Sequence, residues 1–386
     1  MASEEETEPT RSQTASEIVH PSLIGRLDSL SLCENMDVSA VEREELRRQA
    51  RHSGFRLLND ADDRALETLL HLESSSSPPE RTAEISLFSS VKDGTEFLKR
   101  FYEHYSRLGV RHFFLVDDGS AIPGKQILQR NNVYWFRPNF GRYATSRVIW
   151  LKCLMLRFLQ KSTWILTVDV DEFLDTPPAL NALGLVRDWL EERSQTSAQA
   201  ILVDMFPFGN ACTTLADFET GFDSCLNRSG YADADYSNAA AWAFGKLVEL
   251  GWSFDVRHEV MGTIDCLRKV PFFRFNPDLI LNQGFHDLQT LSMGSDHSIQ
   301  TLDSCDLILP IRNFTLTKFL QERKRELLDE TLNGYHVETQ EHIRMMAKKD
   351  ILGATTALNP ETVVRYIPEE FFTRVARAQR LLHVGS

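Results

Sequence analysis

Apolar and polar positions along the chain switch between two periods, and the switches mark out elements. Glu84 to Val91 is a short apolar run that predicts a strand. Phe97, Leu98, Phe101 and Tyr105 then share one face of a helix from about Thr95 to Leu108, which Gly109 ends. His112–Val116 predicts a second strand that runs into Asp117-Asp118-Gly119-Ser120. Strand, helix, strand is one βαβ unit and implies a parallel pair. Val133–Phe136 predicts a third strand, Tyr143–Leu159 a long helix with Leu, Ile and Trp on its buried side, and Trp164–Val168 another strand, completing a further crossover. Ile201–Met205 reads as a strand ending at Pro207, and 209–245, rich in Gly, Asn, Ala and Asp, as a long loop able to order over a ligand. Lys269–Phe273 and Leu279–Leu281 read as paired strands. From Leu316 the pattern is helical and charged, and a last helix is expected over about 368–382.

The N-terminal part is different. Residues 1–17 are polar and acidic and read as disordered. Leu23, Leu27 and Leu30, and later Leu66, Leu69 and Leu70, sit at helical spacing, as a small helical appendage or a partner-binding arm would require. Ser74 to Pro79 breaks the pattern. The expected division is an acidic appendage over 1–82, a central α/β domain over 83–312, and a C-terminal helical extension over 313–386.

Composition narrows the classes. At 386 residues, with 42% hydrophobic content and 24 Phe, the chain can bury a sizeable core. Its formal charge of −13 argues against non-specific nucleic-acid binding. Most of that acidity lies in residues 1–82, where 17 Asp and Glu face 9 Lys and Arg. The remainder is nearly balanced and can hold a positive cleft. Six Cys without a Cys-x-x-Cys pair indicate neither structural zinc nor a disulfide framework. No apolar leader and no run of about 18 apolar residues is visible. The expectation is a soluble, reduced, cytoplasmic protein.

Candidate chemistry gathers where the Trp164 strand exits. Asp169, Asp171 and Glu172 crowd three carboxylates into four positions. They repel one another unless something positive sits among them, and a hard divalent cation, Mg²⁺ or Mn²⁺, is the simplest neutraliser. The bland alternative is a solvated strand end whose acids cap the next turn. Ligands of parallel sheets collect beyond the carboxyl ends of the strands, so Lys92, Asp117 and Asp118 are expected on the same rim as Asp169 and Asp171. Asp204, inside a strand, needs either a cleft or a structural Arg partner. His286, in a loop after a strand, reads by itself first as a surface or satisfied residue. Lys318, Arg323, Lys324 and Arg325 read first as a solvated helix face, with peripheral contact to acidic lipid headgroups or an anionic acceptor as the alternative.

Several motifs in order carry a resemblance. They are Glu96-Phe97-Leu98, His104, Leu108-Gly109-Val110, His112-Phe113, Asp117-Asp118-Gly119-Ser120, and the run from Trp164 through Phe173. Val203 to Pro207, Lys269-Val270-Pro271 through Gly284-Phe285-His286, and the tail from Phe314 to Tyr366 follow. Over about 300 residues the chain resembles the family-2-type glycosyltransferases of the metal-dependent nucleotide-sugar fold called GT-A. That resemblance implies a Rossmann-like, mostly parallel sheet flanked by helices. It also implies an enzyme of hexosyltransferase type, moving a sugar from a nucleoside diphosphate sugar to a glycan, lipid or protein acceptor, with inversion. In such enzymes the second half carries the acceptor side.

The resemblance also distributes roles. Asp171 and His286 would hold Mn²⁺ or Mg²⁺, with Asp169 sharing the metal or bonding the ribose. Asp117 or Asp118 would meet ribose and base, and Lys92 and Lys269 the phosphates. Asp204, then Asp223, would be the base that takes the acceptor proton. One departure stands out: relatives often show Arg-Asn-Glu after the first strand, where this chain has Lys92-Asp93-Gly94. A nucleotidyltransferase or dehydrogenase is disfavoured because no Gly-rich phosphate loop follows that strand. A catalytically silent nucleotide-sugar-binding protein on the same fold is the remaining alternative.

Overall fold

The computed structural model describes residues 69–139, 143–205, 231–233, 268–277, 279–281, 285, 288–291, 299–301, 307–314 and 363–373. In chain order the elements are β1 (Leu70–Leu72), β2 (Ser86–Val91), α1 (Leu98–Arg107), β3 (His112–Asp117), α2 (Gly124–Ile127), β4 (Val133–Pro138) and α3 (Tyr143–Phe158). They continue with β5 (Trp164–Thr167), β6 (Glu172–Leu174), α4 (Leu183–Glu191), β7 (Ser197–Asp204) and β8 (Tyr231–Asp233). β9 (Arg268–Arg274), β10 (Leu279–Leu281), β11 (Leu288–Leu291), β12 (Ile299–Thr301), β13 (Ile308–Asn313) and β14 (Val363–Arg365) complete them.

The main sheet has nine strands in the order β1-β4-β3-β2-β5-β9-β7-β13-β6. β4, β3, β2 and β5 are mutually parallel. β9 is antiparallel to both β5 and β7, β13 runs parallel to β7, and β6 closes the edge antiparallel to β13. The protein is therefore mixed α/β, with a parallel half and a mixed half joined through β9. Alternate residues of the parallel strands feed two cores, as a period of two requires. Leu87, Val91, Phe113 and Leu115 pack with Phe97, Phe101 and Tyr105 on one face. Phe88, Phe114 and Val116 pack with Trp150, Leu151 and Leu154 of α3 on the other. Both faces being covered explains why β2 is buried at every position.

The helix over 95–108 starts with a 3-10 turn, Thr95–Phe97, before α1, and Gly109 ends it at φ +98. Two sequence expectations are corrected. Leu70, placed at helical spacing with Leu69, instead opens β1 directly after the helical Leu69; β1 pairs antiparallel with β4 and adds an edge strand from the N-terminal segment. β9 and β10, expected to pair with each other, lie in different sheets: β10 pairs with β11, which pairs with β12. α3 ties the two sheets together, since the buried Lys152 ammonium donates to the carbonyls of Pro277 and Leu279 at 2.6 and 2.7 Å. Among the described residues no helix is long and apolar enough to cross a membrane.

Candidate functional site

The parallel half has its first strand, β2, in the interior, with β3 and β4 on one side and β5 on the other. The helix that follows β2 and the helix that precedes β5 pack on opposite faces. Such a reversal opens a crevice beyond the carboxyl ends of the two central strands. Here those ends are Lys92-Asp93-Gly94 and Val168-Asp169-Val170. The two loops meet closely: a Cβ at Gly94 would lie 3.3 Å from Val170, and Gly94 itself takes φ +126, a conformation that favours glycine. The Ser89 hydroxyl donates to the Val168 carbonyl at 2.6 Å and fixes β2 against the β5 exit.

A continuous polar chain runs along this rim. The Lys92 ammonium donates to the Asp118 carbonyl at 2.6 Å, and the Asp118 carboxylate accepts the Tyr143 amide at 2.8 Å, at the start of α3. One turn on, Arg147 Nη1 lies 3.2 Å from the Tyr143 hydroxyl and 3.3 Å from Asp169 Oδ1. The second oxygen of Asp169 meets Lys269 Nζ at 3.3 Å, and Lys269 also pairs with Glu172 Oε1 at 2.5 Å. Glu172 Oε2 accepts the Asp169 amide at 3.0 Å, which closes the turn. The positive charge required among the three acids is thus supplied at least in part by the protein itself, from Arg147 and Lys269.

Burial sets the electrostatics. Lys269 and Glu172 are each about 3% exposed. Burial pushes the Glu172 carboxyl up to about 7, against the opposing pull of Lys269. Burial disfavours the Lys269 charge, but the Asp169 and Glu172 carboxylates outweigh it and raise its pKa. Burial likewise disfavours the Arg147 charge, and Asp169 and Tyr143 more than compensate. The Tyr143 hydroxyl is pushed up by burial and by Asp169, so it stays neutral while it accepts from Arg147.

The structure places the other expected residues unevenly. Asp117 is buried and its carboxylate accepts the amides of Ser120 at 2.8 Å and Gly124 at 2.7 Å, so it shapes the turn beside the crevice. Asp204 ends β7 next to Asn313, whose side-chain amide donates to Asp204 Oδ1 at 2.8 Å. In register, Asp204 faces Asn313 of β13, and Asn313 faces Glu172 of β6. Three polar positions therefore stand abreast on neighbouring strands, one step from Asp171, whose carbonyl accepts the Phe314 amide at 3.1 Å. Lys92, Asp118, Asp169 and Lys269 come together on the rim, and Asp171 and Asp204 adjoin it through β6 and β13. His286, Asp223 and the basic run Lys318–Arg325 lie outside the described residues, as does the 209–245 loop apart from β8.

Sequence reasoning missed Arg147, Tyr143 and Asn313. The signal for Arg147 was present as a cation in the second turn of α3, a mostly apolar helix that also carries Lys152 and Arg157. Asn313 carries no local signal, because its meaning comes from strand neighbours 109 residues away.

A divalent cation can be tested against this donor set. Among the described residues no three His, Cys, Asp or Glu side chains are arranged to hold a metal ion. Carboxylate oxygens such as those of Asp169 and Asp171 are the type a hard divalent cation takes, but both oxygens of Asp169 already meet Arg147 and Lys269.

No protein-family model and no curated protein matches the chain. Among solved structures it is similar to S. aureus TarS 1–349, at 10% identity and a TM-score of 0.28, over 70% of this chain and 71% of that one. A superposition that loose carries no argument about fold or activity.

Proposed function

We propose that the protein is a GT-A-type glycosyltransferase that moves a hexosyl group from a nucleoside diphosphate sugar to a carbohydrate-type acceptor. The observation that carries this reading is the crevice between β2 and β5, rimmed by Lys92, Asp118, Arg147 and Asp169, with a second polar row at Asp204 and Asn313 beside it. One polar locus suits the donor, the other the acceptor. In this reading Asp118 lies on the nucleoside side and Asp117 holds the turn that presents it. Lys92 faces the diphosphate. Lys269 acts at one remove, keeping Asp169 and Glu172 in place.

Asp204 takes the proton of the acceptor hydroxyl, and Asn313 orients its carboxylate. The acceptor oxygen forms a bond to the anomeric carbon as the bond to the diphosphate oxygen breaks, and the nucleoside diphosphate leaves with that electron pair. A single displacement of this kind inverts the anomeric centre. Mn²⁺ or Mg²⁺ would be held by Asp171, with Asp169 and His286 as the further expected ligands. When bound, it supplies Lewis-acid stabilisation of the departing charge.

The test is release of UDP or GDP from a panel of UDP- and GDP-sugars, with and without Mn²⁺, for the wild type and for Asp171→Ala. Release by the wild type that is lost in a folded Asp171→Ala protein is expected. Nucleotide binding without release or transfer from any donor would instead favour the silent binding protein.

A further inference from the structure

Arg147 has more hydrogen-bonding capacity than the protein uses. A guanidinium offers five N–H donors in a fixed fork. Among the described residues Nη1 has two partners, Tyr143 Oη at 3.2 Å and Asp169 Oδ1 at 3.3 Å, both at the long end of the range. Nε is buried and has no hydrogen-bond partner. Buried donors in native proteins are almost always matched, so an orphan at a crevice calls for a missing acceptor. The side chain is 14% exposed, and it stacks over the Tyr143 ring with 5.3 Å to the centroid, which holds the fork in place. Its charge is retained despite burial.

Lys92 marks the other end of the same crevice. Its ammonium has one partner, the Asp118 carbonyl, and makes no ion pair among the described residues. Asp118 and Tyr143 connect Lys92 to Arg147 through two further contacts.

We infer that Arg147 is a phosphate-binding residue of the donor site, taking the diphosphate of a nucleoside diphosphate through the unused donors of its fork. The inference rests on the glycosyltransferase reading and deepens it. The chemistry matches: a guanidinium presents parallel N–H groups to two phosphate oxygens, whereas an ammonium presents a point charge. Nη1 meets Asp169 at ion-pair distance without a bidentate bond, and Lys269 also compensates Asp169, so that carboxylate does not engage the rest of the fork. Arg147 is a binding residue that the sequence did not single out.

The experiment is calorimetric titration of the full-length protein with UDP, GDP, uridine and guanosine, each in the presence of Mn²⁺. It uses the wild type, Arg147→Met and Arg147→Lys, each checked for folding by thermal melting. Loss of charge-assisted bonds is expected to weaken binding of the preferred nucleoside diphosphate by about tenfold to a hundredfold in Arg147→Met. Binding of the matching nucleoside should stay unchanged. Arg147→Lys keeps the charge opposite Asp169 but not the fork, and is expected to lose at least part of that affinity. It decides the matter if Arg147→Met fails to fold.

A merely structural arginine would lower nucleoside and diphosphate binding together. That outcome, or wild-type affinity in a folded variant, overturns the inference and leaves the function standing. No binding of either nucleotide by the wild type overturns both.

Discussion

Lys269 is a cation placed where water hardly reaches it, and two carboxylates depend on it. Taking a charged group out of water costs several kcal/mol unless its partners are well placed, and removing one member of a buried pair exposes that cost. Lys269→Met is therefore expected to destabilise the fold by about 3–5 kcal/mol. Adding Glu172→Gln removes the orphaned charge nearest to it and should recover part of the loss. Urea denaturation midpoints of the two variants check this, and equal midpoints would mean that Glu172 draws little from the ammonium.

His104 gives a second residue-scale prediction, in pH. Its Nε2 donates to the Leu174 carbonyl at 2.7 Å, and its ring packs against Phe173 and Tyr105. Burial first, then the nearby Arg312, lowers its pKa from 6.5 to about 4. Between those values the unfolded chain binds a proton that the native protein does not. Stability from this group is complete above about pH 6.5 and is lost as pH falls through 4, in total on the order of 3 kcal/mol. His104→Gln should flatten the stability profile over that window. An unchanged slope from pH 6.5 to 4 would assign the acid sensitivity elsewhere.

At the scale of elements, what the sequence disclosed was what local period and punctuation can encode. The unit β2–α1–β3 was legible because a strand run gives way to a helical face and Gly109 stops the helix at a positive φ. Its consequence, a rim carrying Lys92 and Asp118 beside Asp169, followed from the parallel pairing alone. β1 was missed because Leu70 continues the helical spacing of Leu69, which is itself helical, and a three-residue strand is too short to show alternation. The partner of β9 was misread because two short apolar runs near in sequence look like a hairpin, while the actual choice of β5 and β7 depends on contacts about 70 to 110 residues away. The site divides the same way. The three acids and their need for positive charge were readable. That Arg147 and Lys269 supply some of it was not, since they lie 22 and 100 residues from Asp169. Nor was it readable that the turn amides occupy the Asp117 carboxylate.

At the scale of the whole molecule, the far end of the chain returns to the core that supports the site. β14 pairs antiparallel with β8, and the residues after it turn inward. Tyr366 and Phe371 are buried in the same cluster as Phe97, Phe173 and Phe314, on the face of the sheet that also packs α1. The Tyr366 hydroxyl donates to Asp175 at 3.0 Å, and Arg312 holds the same carboxylate through Nε and Nη2 at 2.8 and 2.9 Å. Phe173 and Phe314 each neighbour a residue of the polar rim, Glu172 and Asn313, so packing lost here reaches that rim through one peptide bond. Phe371→Ala removes a fully buried ring and should cost about 3–5 kcal/mol. Tyr366→Phe removes a hydroxyl whose acceptor keeps Arg312, and should cost about 1 kcal/mol. Denaturant unfolding of both variants tests the ranking. If Phe371→Ala proved as mild as Tyr366→Phe, the return segment would rest on the sheet without completing its core, and the rim would owe its geometry to β6 and β13 alone.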